Sequence, residues 1–172
     1  MERKVARIMG KRKLVLLARK EELSHNIKYI SKVPVRIVMD REFLKVQPET
    51  PIFELIGMFT SEETSAVVVD ERDRLIGFIT MKDLLSYFVP PRKYSVVGFG
   101  LLKRYAFTRA SRVADVMVKR PITISVNDDL GHAIKLMIET GKHHLPVIDE
   151  ERKVHGILEV KDIIRLIRIV AM

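Results

Sequence analysis

Two side chains three positions apart, Thr80 and Asp83, carry the chemistry most legible in this chain. A hydroxyl and a carboxylate held together can grip vicinal hydroxyls, such as those of a ribose. They can equally do no more than cap a helix, the hydroxyl accepting from free N–H groups of the first turn and the carboxylate lying near the positive end of the dipole. The elements around them favour a junction. Leu75 to Ile79 is a short apolar run that reads as a strand, and Leu84, Leu85 and Phe88 follow at helical spacing. One such junction is weak support for a site. The stretch Gly77-Phe78-Ile79-Thr80-Met81-Lys82-Asp83, however, has an echo at Gly156-Ile157-Leu158-Glu159-Val160-Lys161-Asp162.

The echo is part of a longer internal repeat. The first copy runs from Val38-Met39 through Val46-Gln47-Pro48 to a helical stretch, Ile52 to Thr60. The strand Ala66 to Asp70 and the charged turn Glu71 to Arg74 follow. The second copy runs from Val116-Met117 through Ile124-Ser125-Val126 to a helical stretch, Leu130 to Glu139. Leu145-Pro146-Val147-Ile148-Asp149 and the turn Glu150 to Lys153 come next. The offset is 78 at Met39/Met117 and 79 from Asp70/Asp149 onward, so one residue is inserted in the second copy, where Gly141 to His144 lie. Each copy reads β-α-β-β-α, an α/β (α+β) pattern whose helices must cover one face of a sheet. The expected division is a basic helical arm at 1–33, a first repeat at 34–90, a linker at 91–111 and a second repeat at 112–172.

The charge is not evenly spread. The chain carries +9 in all, and residues 1–33 hold ten Lys/Arg against three acids, or +7. The rest holds 21 Lys/Arg against 19 acids, or +2, so the body is close to neutral. Met9, Leu16, Leu23 and Ile30 recur every seven residues and predict a helix over about 13–30 with basic outer faces. Such a helix either packs on the body with a solvated basic face or meets nucleic acid or an acidic protein. Residues 1–28 hold no aromatic side chain that could stack on bases, which favours packing. In the linker, Pro90-Pro91 ends a helix, and Leu101 to Phe107 suggests a short one. Gly98-Phe99-Gly100 matches half of a dinucleotide fingerprint, but Lys103 stands where its third glycine belongs, so it reads as a turn.

Composition excludes several classes. No apolar run is long enough to span a membrane, and the first residues lack signal-peptide order, so a cytoplasmic location is expected. Zero cysteines exclude disulfides and thiolate metal sites. No Gly-x-Ser-x-Gly elbow, P-loop or supported carboxylate pair is present, and an enzyme is not expected. The amide side chains Asn26, Gln47 and Asn127 are few and charged residues reach 31%, a balance that resembles thermophile composition.

Two β-α-β-β-α copies in tandem, each ending Gly-apolar-apolar-x-x-x-Asp, resemble a pair of cystathionine β-synthase (CBS) domains, or Bateman module. Val46-Gln47-Pro48 before the first helix and Leu145-Pro146-Val147-Ile148-Asp149 before the second turn add to the likeness, which covers about residues 34–90 and 110–172. The resemblance implies copies packed sheet to sheet with pseudo-twofold symmetry. It also implies two clefts between them, pairing of modules into a homodimer through their helices, and no catalysis. It further implies adenosine-type ligands: AMP, ADP or ATP, with S-adenosylmethionine less expected here.

Carried over to this chain, the resemblance assigns ribose to Thr80 and Asp83 and the base side to Val46, Lys45 and Ala66. Phosphate falls to the loop Lys142-His143-His144-Leu145-Pro146 of the other copy, which resembles the His-Arg-Leu-Pro loop of the γ subunit of AMP-activated protein kinase. His144 stands where that loop has Arg, so a fixed fork gives way to a charge that depends on pH. On residue type alone, His143 and His144 can also be solvated loop residues; adjacent histidines do not make a metal site. The second cleft departs from the pattern. Asp162 is kept, but Glu159 replaces the hydroxyl, and Thr64 and Ser65 face it with Glu62 and Glu63 nearby. With Ile124 as a further candidate residue, it should be empty, weak, or suited to a ligand without phosphate, because carboxylates repel phosphate. Met39 and Met117 read as fillers at equivalent points, and the final helix, Ile163 to Val170, has more apolar surface than one monomer face uses.

The expectation is an adenine-nucleotide-binding regulatory module. The alternative is a nucleic-acid or protein-binding adaptor that works through the arm, with the repeat pair as a dimerising scaffold.

Overall fold

The computed structural model of the protein describes residues 28–88 and 112–171. Residues 28–30 are helical. The expected arm helix before residue 28, the Pro90-Pro91 stop, the Gly98-Phe99-Gly100 turn and the Leu101 to Phe107 helix lie outside the described residues.

The first copy is β1 (Leu44–Val46), α2 (Ile52–Met58), β2 (Ser65–Val69), β3 (Leu75–Thr80) and α3 (Met81–Phe88), preceded by a short helix α1 (Val35–Val38). The second is β5 (Ile124–Ser125), α4 (Leu130–Thr140), β6 (His144–Ile148), β7 (Val154–Glu159) and α5 (Val160–Ala171). A 3-10 turn (Val113–Asp115) and the two-residue strand β4 (Val118–Lys119) lead into it. The expected β-α-β-β-α order is present in both copies, with α2 ending at Met58 and α4 reaching Thr140. Local chemistry sets those ends. Asp129 caps α4 by accepting from the His132 N–H at 3.0 Å, and Gly141 terminates it with φ 64°, a left-handed conformation suited to glycine.

One sheet has the order β1-β2-β3-β4 and the other β5-β6-β7. In each, the first strand runs parallel to the second and the second pairs antiparallel with the third. All five residues of β2 are buried, as a β-branched run between two neighbours requires. Pro146 is tolerated in β6 because β5 pairs only with Val147 and Ile148, so no parallel neighbour needs an N–H at residue 146.

Each copy is completed by the segment that precedes the other. Val35 is fully buried in the second copy's core, beside Leu130, Ala133 and Ile163. Val113, 78 residues on, is fully buried in the first copy's core with Ile52, Leu55 and Leu84. Backbone bonds fix the exchange. Asp40 and Ile157 donate to each other's carbonyls at 2.8 and 2.9 Å, while Val118 pairs with Phe78. The methionines then find equivalent seats. A Cβ on Gly77 would fall on Met117 Sδ, and one on Gly156 would lie 2.9 Å from Met39 Sδ and 2.5 Å from the Asp40 carbonyl oxygen. Both glycines of the repeated motif therefore make room for a crossing segment.

The sheets meet through a third apolar cluster, Val67, Val69, Leu75 and Phe78 against Val154 and Ile157. At its far end the hairpin turns join, the Leu75 N–H donating to the Arg152 carbonyl at 2.9 Å and the Arg152 guanidinium to the Leu75 carbonyl at 3.0 Å. Asp70 and Asp149 organise those turns by accepting backbone N–H groups. The Arg74 guanidinium holds Asp70 below the usual carboxylate range, and His155 does the same for Asp149. Among the described residues no helix is long and apolar enough to cross a membrane.

Candidate functional site

The strand-to-helix junction at Thr80 has the geometry of a reciprocal cap. The Thr80 hydroxyl donates to Asp83 Oδ2 at 2.7 Å, the Thr80 N–H donates to the same oxygen at 2.8 Å, and the Asp83 N–H donates to Thr80 Oγ1 at 3.3 Å. The cap and the hydroxyl–carboxylate pair are thus one arrangement: capping fixes the carboxylate at the rim of a cleft. That cleft is small, about 60 Å³. Phe78, Thr80 and Asp83 of the first copy line it, together with Val118, Pro121 and Ile122 from the segment after the 3-10 turn and Lys142, His143 and His144 of the second copy.

The residues expected on the base side lie elsewhere. Val46 and Ala66 are buried in the first copy's core. Lys45 turns to Asp73, its Nζ 2.6 Å from Oδ1. Pro146, expected in the phosphate loop, lies inside β6 and does not line this cleft. The side of β3 that faces the cleft is occupied instead by β4 and the residues after it, because the leading segments are exchanged between copies.

The second cleft is the pseudo-symmetric counterpart and holds about 370 Å³. Asp40, Phe43 and Leu44 take the positions of Val118, Pro121 and Ile122, at the same spacing of 78. Ser61 to Ser65, Ile157, Glu159, Lys161 and Arg165 complete it, together with Glu42. Ile124, a further candidate residue for this cleft, is buried in the second copy's core. Asp162 is 6% exposed and accepts the Glu159 N–H at 3.0 Å, repeating the backbone half of the Thr80 cap. Its side-chain half is absent, because Glu159 turns to Lys161 Nζ at 3.1 Å and His144 Nε2 at 3.5 Å. Lys161 and Arg165 are cations that the loop comparison missed. They flank Asp162 on the first turns of α5, one position before it and three after, and that helical spacing was available in the sequence.

The charge of the two clefts differs. Asp40, Glu42, Glu62, Glu63 and Glu159 line the second, against Lys161 and Arg165. Asp83 and Lys142 are the charged groups lining the first, beside two histidines. An anion is therefore better received in the first cleft. His144 stands between the two, with Nε2 3.3 Å from Thr64 Oγ1 and its ring centroid 6.2 Å from that of Phe78. Burial pushes its pKa below the ordinary imidazole value and outweighs the Glu159 carboxylate, which pulls the other way. His144 is accordingly held toward its neutral form, and Lys142 supplies the fixed positive charge of that loop.

The CBS domain profile matches residues 25–90 and 113–169 of the chain. Inosine-5'-monophosphate dehydrogenase of Methanocaldococcus jannaschii is 24% identical over 146 residues, 84% of this chain and 25% of that protein. The chain spans 45% or less of the length of the first curated relatives it matches. Among solved structures, the protein CBSX2 of Arabidopsis thaliana in complex with AMP superposes with a TM-score of 0.67 at 24% identity, over 81% of this chain and 99% of that one. The CBS domain pair of protein MJ0100, in complex with 5'-methylthioadenosine and S-adenosyl-L-methionine, superposes at 0.61 and 20% identity, over 78% and 95%. Both likenesses are of fold.

Proposed function

The chain belongs to the CBS domain family, and from that premise we propose that it is a regulatory module, not an enzyme, that binds an adenine nucleotide in its first cleft. The observation that carries the proposal is the Thr80–Asp83 pair, 2.7 Å apart in a cleft also lined by Lys142, His143 and His144. Ribose hydroxyls meet Asp83 and Thr80. Phosphate meets Lys142 and the imidazole N–H groups. The base lies against Val118, Pro121 and Ile122. The complexes of CBSX2 with AMP and of MJ0100 with adenosine-type ligands support that choice of ligand class.

The second cleft is the poorer phosphate site, because a nucleotide there would meet five carboxylates and two cations. It suits an adenosine derivative without phosphate. Ligand binding favours one relative position of the two copies, and it can shift that equilibrium only by its differential affinity for the two positions. Ile164 and Ile169 remain 58% and 67% exposed on α5, apolar surface that a second copy would cover in a homodimer.

Calorimetry with AMP, ADP, ATP and S-adenosylmethionine tests the reading. Binding of at least one nucleotide is expected, and no binding of any of the four overturns it. The second reading, an adaptor for nucleic acid or an acidic protein, rests on one observation: residues 1–33 hold +7 of the +9 charge. That reading requires binding that weakens steeply with salt and is lost when residues 1–33 are removed.

A further inference from the structure

A nucleotide pocket encloses roughly 300–1,000 Å³, and the first cleft holds about 60 Å³. It must widen to take a ligand, and its walls are not equally free to move. Phe78 is 6% exposed and belongs to the packing between the sheets. Thr80 and Asp83 are tied by their reciprocal cap, and Val118 is held by backbone pairing to Phe78. The remaining walls are Pro121 and Ile122, which follow β4, and the loop that ends in His144, whose side chain also reaches residues of the second cleft. The side chain of His144 is 22% exposed and is retained by two long contacts, 3.3 Å to Thr64 and 3.5 Å to Glu159. Both distances are at the weak end of hydrogen bonding.

Thr64 and Glu159 line the second cleft, whereas His144 lines the first. One ring therefore lines the first cleft and touches two residues of the second. Accepting the nucleotide reading, we propose that the His144 ring leaves Thr64 and Glu159 when a nucleotide occupies the first cleft, so that the two clefts are energetically coupled. Admission of ligand to the first cleft leaves Glu159 to Lys161, already 3.1 Å away, and to any ligand of the second cleft. In reverse, a ligand that engages Glu159 from the second cleft frees the ring and spares the first ligand the cost of opening. The coupling between the clefts is positive and runs through one side chain.

A double-mutant cycle read by calorimetry with AMP, on the full chain, tests this. The four proteins are wild type, Glu159→Gln, His144→Ala and the double variant. Glu159→Gln loosens the anchor of the ring and should tighten AMP by about fivefold or more in the wild-type background. In the His144→Ala background the same change should have no effect. Equal effects in both backgrounds would mean that Glu159 acts on AMP by its charge alone, and no effect in either would mean that the ring is not held by Glu159; each overturns the coupling. AMP bound by none of the four overturns the nucleotide reading itself, a result distinct from AMP bound without coupling. If His144→Ala does not fold, His144→Asn retains a polar group and serves in its stead.

Discussion

The Thr80 hydroxyl stands 2.7 Å from Asp83 Oδ2, whereas at the matching junction of the second copy the Glu159 carboxylate turns away from Asp162 to Lys161 and His144. The backbone half of the cap is the same in both, 2.8 Å at Thr80 and 3.0 Å at Glu159. The two junctions thus share a fold and differ in what they present to a ligand. One offers a hydroxyl and a carboxylate in register. The other offers two carboxylates and a lysine.

Replacing Glu159 with Thr should restore the missing hydroxyl beside Asp162 and remove one of the carboxylates that line the second cleft. The change is expected to raise AMP affinity there, so that the second cleft binds AMP measurably in addition to the first. Stoichiometry from calorimetry reads this directly. An unchanged isotherm counts against Glu159 as the residue that separates the clefts.

Gly156→Ala should destabilise the protein more than Gly77→Ala. At Gly77 an added Cβ meets the side chain of Met117, which can move; at Gly156 it meets the Asp40 carbonyl oxygen at 2.5 Å as well as Met39. That carbonyl accepts from the Ile157 N–H at 2.9 Å, so displacing it costs a backbone bond between the copies. We expect about 1–3 kcal/mol for Gly156→Ala, as for other overpacking changes, and a smaller loss for Gly77→Ala. Denaturant melts of the two variants give the order, and the reverse order would contradict the exchange of leading segments.

Stability should fall as pH drops below the ordinary histidine value of 6.5. Burial keeps the His144 pKa below that value in the folded chain, so the unfolded chain binds the proton first. Stability is then full above 6.5 and declines as pH falls toward the folded pKa. Asp70, Asp129 and Asp149 also have lowered pKa values, but their effect begins near the ordinary carboxylate value of 3.8 and does not reach this window. Thermal melts between about pH 7.5 and pH 5.5 should show a decline that is smaller in His144→Asn. Equal declines in both proteins would assign it to another group.

The repeat, the order of elements and the Thr80 junction were legible in the sequence because each is local: an offset, a period, a cap. Which residues line the clefts beside β3 was not. Val46, Lys45 and Ala66 lie on strands of the right copy, but the rim beside β3 is taken by residues 118–122, which precede the other copy. Nothing in a strand's own residues says which neighbour will lie along its free edge. The two buried valines Val35 and Val113, standing just ahead of their copies, were the available hint. The histidine loop was found by position, yet its charge was not. Burial of His144 against Phe78 depends on contacts between copies that no spacing reveals. The positive charge in the second cleft comes from Lys161 and Arg165, one position before Asp162 and three after it on the same helix, a spacing that the loop of the other copy does not reveal.

Lys142→Ala should weaken AMP while sparing adenosine. With His144 held toward its neutral form, Lys142 is the fixed positive charge that lines the first cleft. An exposed ion pair contributes up to about 1 kcal/mol, or roughly fivefold in affinity. Parallel titrations with AMP and adenosine separate a phosphate contact from a change in fold, and equal losses for both ligands would remove Lys142 from the phosphate site.

The most direct test of the account is a titration of AMP into wild type and Asp83→Ala, followed by calorimetry. Loss of the Asp83 cap costs about 1 kcal/mol of stability, so the variant should remain folded, as a thermal melt will verify. The account predicts saturable AMP binding to wild type and at least about a tenfold loss in the variant, as expected when a charged acceptor of hydroxyl protons is removed. The same affinity in both proteins would contradict it.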